Sequence, residues 1–523
     1  MYIMAAIKGN GLACARLSFL RKYGRPNVKI DRVEAETWAK SVETQGVKSI
    51  SWIIENAEKY NHPAVTYALG VCYHDGVGVP KSAEKAVYYY KLSADAGQPR
   101  GEGILGFCYG EGFGVEKNQK KAFELYMSAA RSGESVSMYN VAHCYEEGLG
   151  VEKDVRKAIE WYTKAANLGN CYAQNSLGYM YEEGFGVERN EYKAVDWYKK
   201  SADQGYPWAQ CNLGFCLQNG IGIELNEALG AYWYQKAAIQ GHSRAQHNLG
   251  HAYQYGIGVK KDEKLSVQWY ERSAAAKNAF ALHSLGYCYQ YGIGTDVDEA
   301  KAAKLYHESA KLGHAPAQLS LGCCYRSGVG VPVDEQEAFG WIRLSAMGGN
   351  DLAQNTLGHL YEDGIGTKTN LNKAIHWYTI SSKQGNVWAL TNLGILYYEG
   401  NGVPVNYEEA ARLFRLAAEK KHARAQSRLA DMLMAGRGVA EDQEEAVYWY
   451  KAAAEQGSVS AMLALGECYE SGLGCEEDET EAISWYEKAA SWGDQTASER
   501  LMQLVANSSI TPSISHGHAA KAA

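Results

Sequence analysis

Residues 173–205 read "AQNSLGYMYEEGFGVERNEYKAVDWYKKSADQG". Two helical patterns flank a glycine loop. In the first, Leu177 and Tyr181 stand four apart, on one helix face, with Gly178 beside Leu177. Gly184 sits where a helix end turns left-handed, a conformation glycine adopts cheaply, and Gly186 follows two residues on. Asn190 is a preferred N-cap and opens the second pattern, which carries Ala194 and the pair Trp197-Tyr198 and stops at Gly205.

The same pattern extends in both directions. Gly-x-Gly stands at Gly76/Gly78, Gly184/Gly186, Gly256/Gly258 and nine other places, twelve copies at an unbroken spacing of 36. A fixed period of this size means a stacked helical array. In the first copy the pattern predicts helix A over about 63–75 and helix B over about 83–96. The Leu69 column is Leu in every copy but Val141, and the next position is Gly except at Ala142 and Ala430. The column of Ser82, Asn118 and Asp154 contains only Ser, Asn or Asp, and each such cap is worth about 1 kcal/mol over Ala. Three residues on, Glu337, Glu409, Glu445 and Glu481 are candidates for a reciprocal cap. The Ala86 column is always small, so the two helices can approach closely. Gly97 and its equivalents end helix B, with Lys277 and Lys421 as exceptions.

No unit can bury its apolar face alone, so stability comes from stacking. The fold class is all-α: a solenoid of twelve 36-residue helix-turn-helix repeats over 63–498. Residues 31–62 read as a diverged helical cap, with Ile53-Ile54 in register with the Trp-Tyr pairs. Residues 499–523 hold the end of a last helix, with Leu501 in the Leu column, and then a polar tail read as disordered. Residues 1–30 have no Asp or Glu but six Lys and Arg, and read as a basic lead-in or a mitochondrial targeting segment.

The repeated motif A-Q-x-x-L-G-x-x-Y-x-x-G-x-G-V-x-x-[ND]-x-x-K-A-x-x-W-Y resembles the Sel-like repeat (SLR) family, relatives of tetratricopeptide repeats. The resemblance implies a right-handed α/α superhelix with helix A lining the concave side. It also implies an adaptor that holds other macromolecules together. Family members serve in ER quality control, in regulation of fungal cell-wall synthesis and in bacterial signalling. A regulatory subunit of a membrane enzyme, such as a polysaccharide synthase, is therefore an alternative reading, and an ER adaptor a further one. Secreted cysteine-rich members pair Cys between the two helices of a repeat. Here helix B has none, and Cys72, Cys108, Cys144, Cys216, Cys288, Cys324 and Cys468 share one helix A column. Neighbours in that column should be roughly 8–10 Å apart, too far for a disulfide.

The net charge of −8 gives no support to nucleic acid as a partner. No run of about 18 apolar residues is present, so direct membrane insertion is not expected. The glycine loops lack a GK[ST] ending and follow helices, which argues against phosphate binding. His247 and His251 are spaced for a metal on one helix face but have no third ligand in sight. No catalytic constellation, cofactor or metal is expected. The Trp, Tyr and Leu columns read as core.

The informative residues are those that vary. The position after the recurring Gly includes Phe107, His143, Tyr179, Phe215, His251, Tyr287 and His359. With His247 and Tyr255, these are candidates for a partner-binding groove, since aromatic residues dominate interface hot spots. Acids end several helices A, as at Glu146-Glu147, Glu182-Glu183 and Glu362-Asp363, where they oppose the helix dipole. Local pairing with Lys153 or Arg156 is one remedy, and a basic partner is another. The expectation is a non-enzymatic scaffold for protein or peptide segments, cytoplasmic and monomeric or weakly associating.

Overall fold

The computed structural model describes residues 62–507 and twelve single positions between 13 and 60. Residues 62–507 form twenty-five helices and no strand. Nearly all are thirteen residues long. The first pair is Pro63–Asp75 and Ala83–Asp95, within a residue of the boundaries predicted from the period. The last helix is Gln495–Asn507, and it contains Leu501. The expected tail from 508 onward lies outside the described residues. The chain forms two compact units, 1–297 and 298–523. Within each, helices pack on the helices before and after them, as stacking requires.

Each repeat is locked at four points. The first Gly of each loop ends helix A in the left-handed region, as at Gly184 (φ 72°) and Gly256 (φ 74°). The second Gly does a different job. A Cβ on Gly258 would run into the Glu227 carbonyl, in the first turn of the preceding repeat's helix B. It is therefore a stacking glycine, which a single repeat cannot reveal. Third, the helix B caps form as predicted. The Asn190 Oδ1 accepts from the Lys193 N–H at 3.0 Å, and the Asp154 Oδ1 from the Lys157 N–H at 3.1 Å. The reciprocal caps do not form. The Asp334, Asn406, Asp442 and Asp478 N–H groups instead donate to carbonyls of helix A, at Tyr325, Tyr397, Leu433 and Tyr469. The donor that a capping box would satisfy is already used. Glu337 accepts from the Trp341 indole, Glu445 from the Trp449 indole and Arg415, and Glu409 pairs with Arg412.

The fourth lock is a tyrosine. Tyr198 of helix B is fully buried and lies flat against Gly178, where a Cβ would sit 2.5 Å from the ring. The recurring Gly thus makes room for a ring from the partner helix. Burial varies along the Trp column: Trp161, Trp197 and Trp233 are half-buried, whereas Trp269 and Trp485 are buried. Basic side chains cover the rings, with Lys164 over Trp161 at 4.3 Å and Lys200 over Trp197 at 4.1 Å. Lys277 (φ 57°) and Lys421 (φ 64°) adopt the left-handed geometry that Gly adopts elsewhere in their column.

Two of the single N-terminal positions locate parts of that segment. Ile54 packs on the core of the first repeat, around Tyr67 and Leu69. Ile30 is buried, and its N–H donates to the Gln204 carbonyl at 2.7 Å, far along the chain from the first repeat. The expectations of a disordered or targeting lead-in otherwise fall outside the described residues.

Candidate functional site

The candidate groove residues all stand on helices A. Leu and Tyr at i and i+4 bury one stripe of the helix, which leaves the position after the Gly on the opposite side. Phe107, His143, Tyr179, His251, Tyr287 and His359 are exposed, as is Tyr255 one turn beyond His251. Phe215 is half-buried, with the Arg244 guanidinium over its ring at 5.8 Å. His143, Tyr179 and His251 belong to the first compact unit and His359 to the second. The structural residues Gly76, Gly78, Trp197 and Tyr198 lie in loops or between helices, as their columns require.

His247 and His251 do not face a common ligand. His247 Nε2 lies 3.1 Å from the Ser284 hydroxyl of the next repeat, and its Nδ1 lies 3.3 Å from Asn248 Oδ1. The His251 ring lies 4.6 Å from that of Tyr255. His247 is one rung of a polar ladder between neighbouring helices A. Asn212 donates to Asn175 at 3.1 Å, and Asn392 to Asn355 at 3.2 Å, each across 37 residues. The small-polar column containing Asn248 is thus a stacking device. A period of 36 hides it, because its partners sit one position out of register.

The acids at the ends of helix A are also corrected. Lys153 and Arg156 are not the bonded partners of Glu146. Its carboxylate accepts from the Tyr162 hydroxyl at 2.6 Å. Tyr198 donates to Glu182 at 2.5 Å, Tyr378 to Glu362 at 2.6 Å and Tyr486 to Glu470 at 2.6 Å. A buried phenol must find a partner, and the first acid of each pair supplies it. The second acid, as at Glu147 and Glu183, stays exposed.

His143 lies 3.8 Å from Glu146, and that carboxylate raises the imidazole above its ordinary pKa. Burial pushes Glu146 up, but its bonds from His143 and Tyr162 outweigh that and hold it low. The ligand atoms of His143, Glu146 and Glu147 lie within 4.8 Å of one another, one metal-compatible trio among the described residues. Glu146 is already held by Tyr162. Burial pushes Cys72, Cys108, Cys216, Cys288 and Cys468 up to about 12, far from thiolate reactivity. Two histidines of the turn column are caps: His62 and His242 accept from the Ala64 and Ala245 N–H groups.

The Sel1 repeat family model matches thirteen segments: 11–41, 63–98, 104–134, 135–170, 171–206, 209–242, 243–278, 279–314, 315–350, 351–386, 389–422, 423–458 and 459–494. This chain belongs to the Sel1 repeat family. The segment 11–41 was not counted among the twelve repeats read from the glycine period, which has no Gly-x-Gly there. Among solved structures, a protective antigen of uropathogenic Escherichia coli with an SLR fold is similar: 33% identical, over 81% of this chain and 91% of that one, with a TM-score of 0.62. A Sel1 repeat protein from Oxalobacter formigenes is 29% identical over 59% of this chain and 90% of that one, with a TM-score of 0.45. No curated protein sequence matches the chain. Sel1-repeat chains are in general non-catalytic scaffolds for protein interaction. Among the described residues, no helix of this Sel1-repeat chain is long and apolar enough to cross a membrane.

Proposed function

We propose that this Sel1-repeat chain is a non-enzymatic adaptor that holds protein segments along the exposed face of its helices A. One observation carries the reading. On a scaffold whose structural columns repeat, this helix A face combines exposure with changing aromatic and imidazole side chains: Phe107, His143, Tyr179, His251, Tyr255, Tyr287 and His359. Many modest contacts on a preformed surface would give affinity without ordering cost. The reading takes the chain to act in the cytoplasm on protein partners, without a cofactor.

A photo-crosslinking amino acid placed at Tyr179, His251 or Tyr287 tests it. Tyr192 and Tyr448, exposed on helices B, are the controls. Partner crosslinks from the three helix A positions and none from the controls are expected. Equal crosslinking from both faces would overturn the proposal.

A further inference from the structure

The first four repeats depart from the consensus in one place. Along the column of Tyr67, Gly103 and Tyr139, Gly occurs only at Gly103. Along the column of Val65, Gly101 and Ser137, the nine later copies are all Ala, and Ser137 carries the sole hydroxyl. The two departures meet, since a Cβ on Gly103 would run into the Ser137 hydroxyl. Both line a largely apolar pocket of about 210 Å³, walled by Ile104, Phe107, Val136 and Tyr139 among others.

Ser137 is fully buried, and its Oγ has no hydrogen-bond partner. Its N–H is satisfied by Glu134 at 2.6 Å, so only the hydroxyl remains unmet. An unmade bond of this kind costs about 1–3 kcal/mol. A repeat protein that uses Ala here nine times has a simple way to avoid that cost. The pocket volume suits one large side chain and is too small for a helix.

The charge around it is equally local. Asp75, Glu111, Glu147 and Glu183 end four consecutive helices A, and Asn219, Tyr255 and Tyr291 follow at the same position. Asp75 lines the pocket, and Glu111 lies one turn beyond Phe107 on the same face. Glu111, Glu147 and Glu183 are exposed, and none is in an ion pair among the described residues. Neighbouring helices lie roughly 8–10 Å apart, and an extended strand advances about 3.3 Å per residue. One acid therefore meets roughly every third residue of a peptide lying across the helices.

Building on the adaptor reading, we infer that the first four repeats bind an extended basic peptide that inserts a tyrosine beside Ser137. The phenol meets the buried hydroxyl, and Lys or Arg at about every third position meets Glu111, Glu147 and Glu183.

The test uses the full chain and a short fluorescein-labelled peptide with one central Tyr and Lys at every third position, read by fluorescence anisotropy. A Phe version and a Lys-to-Glu version are the companions. Wild type should prefer the Tyr over the Phe peptide by about three- to tenfold. Ser137→Ala restores the residue of nine other repeats, and so should fold. It should abolish that preference while leaving the Phe peptide unchanged. Glu111→Lys, Glu147→Lys and Glu183→Lys together should weaken both Lys peptides at low salt and keep the Tyr preference. Equal loss of both peptides in Ser137→Ala would overturn the inference, as would binding of the Lys-to-Glu peptide with equal affinity. Binding seen only after removal of residues 1–53 would assign the pocket to this chain's own N-terminal segment, and would also overturn it. If peptides fail while crosslinks from Tyr179, His251 and Tyr287 persist, this inference falls and the adaptor reading stands. If the crosslinks fail as well, both fall.

Discussion

Replacing Lys277 and Lys421 with glycine should stabilise the protein, although it removes two side chains. Both sit at the turn after helix B with φ of 57° and 64°. The same position is Gly elsewhere, as at Gly133 (φ 89°) and Gly457 (φ 90°). A Cβ at either of those glycines would meet nothing within 4 Å, so steric crowding is not the issue. The cost is in the backbone: an L-residue in this region loses about 1–2 kcal/mol. Glycine's larger freedom in the unfolded chain returns about 0.4–1 kcal/mol of that. At the middle of these ranges the net gain is about 0.8 kcal/mol per site. The sites lie in different compact units, so each should stabilise its own unit. At about 2–4 °C per kcal/mol for units of this size, each transition should rise by roughly 1–4 °C. Calorimetry on Lys277→Gly/Lys421→Gly reads this directly. The control is Lys277→Ala/Lys421→Ala, which keeps the strain and should match wild type within about 0.5 kcal/mol. A glycine pair no more stable than the alanine pair would refute the backbone argument.

Three further outcomes follow from the packing. Gly178→Ala drives a methyl against the Tyr198 ring and should cost about 1–3 kcal/mol by urea unfolding, with the low end expected because Ala142 occupies the matching site over Tyr162. Asn190→Ala removes the cap on Lys193 and should cost about 1 kcal/mol, whereas Asn190→Asp should be nearly neutral. His143→Gln tests the charged contact with Glu146. The raised His143 stabilises the fold below its ordinary 6.5, and this is lost as pH rises through the folded value. The lowered Glu146 stabilises it above its ordinary 4.5, and this is lost as pH falls through the folded value. The stability gap between wild type and His143→Gln should therefore be wider near pH 5.5 than at pH 8.5. A gap independent of pH would show that the pair does not act electrostatically.

The turns and caps were legible because their causes are local. A left-handed helix end calls for Gly and an N-cap calls for Asn, Asp or Ser, whatever lies nearby. The exposed residues at Phe107, His143, Tyr179 and His251 were also legible, because a residue free to vary in a strict period is one that packing does not dictate. The missing capping boxes were not legible: a Glu three residues past the cap looks the same whether or not helix A has already taken the cap's N–H.

By itself, the sequence determined the period, the helix boundaries, the loop glycines and the all-α class, since each rests on backbone geometry within one repeat. Tertiary structure alone decided which groups meet across repeats. It turned the second loop Gly into a stacking contact, and Asn175 and Asn212 into a ladder. It also left the Ser137 hydroxyl buried with no partner. These pairings depend on how neighbouring helices lie against each other, and that arrangement exists only once the repeats have stacked.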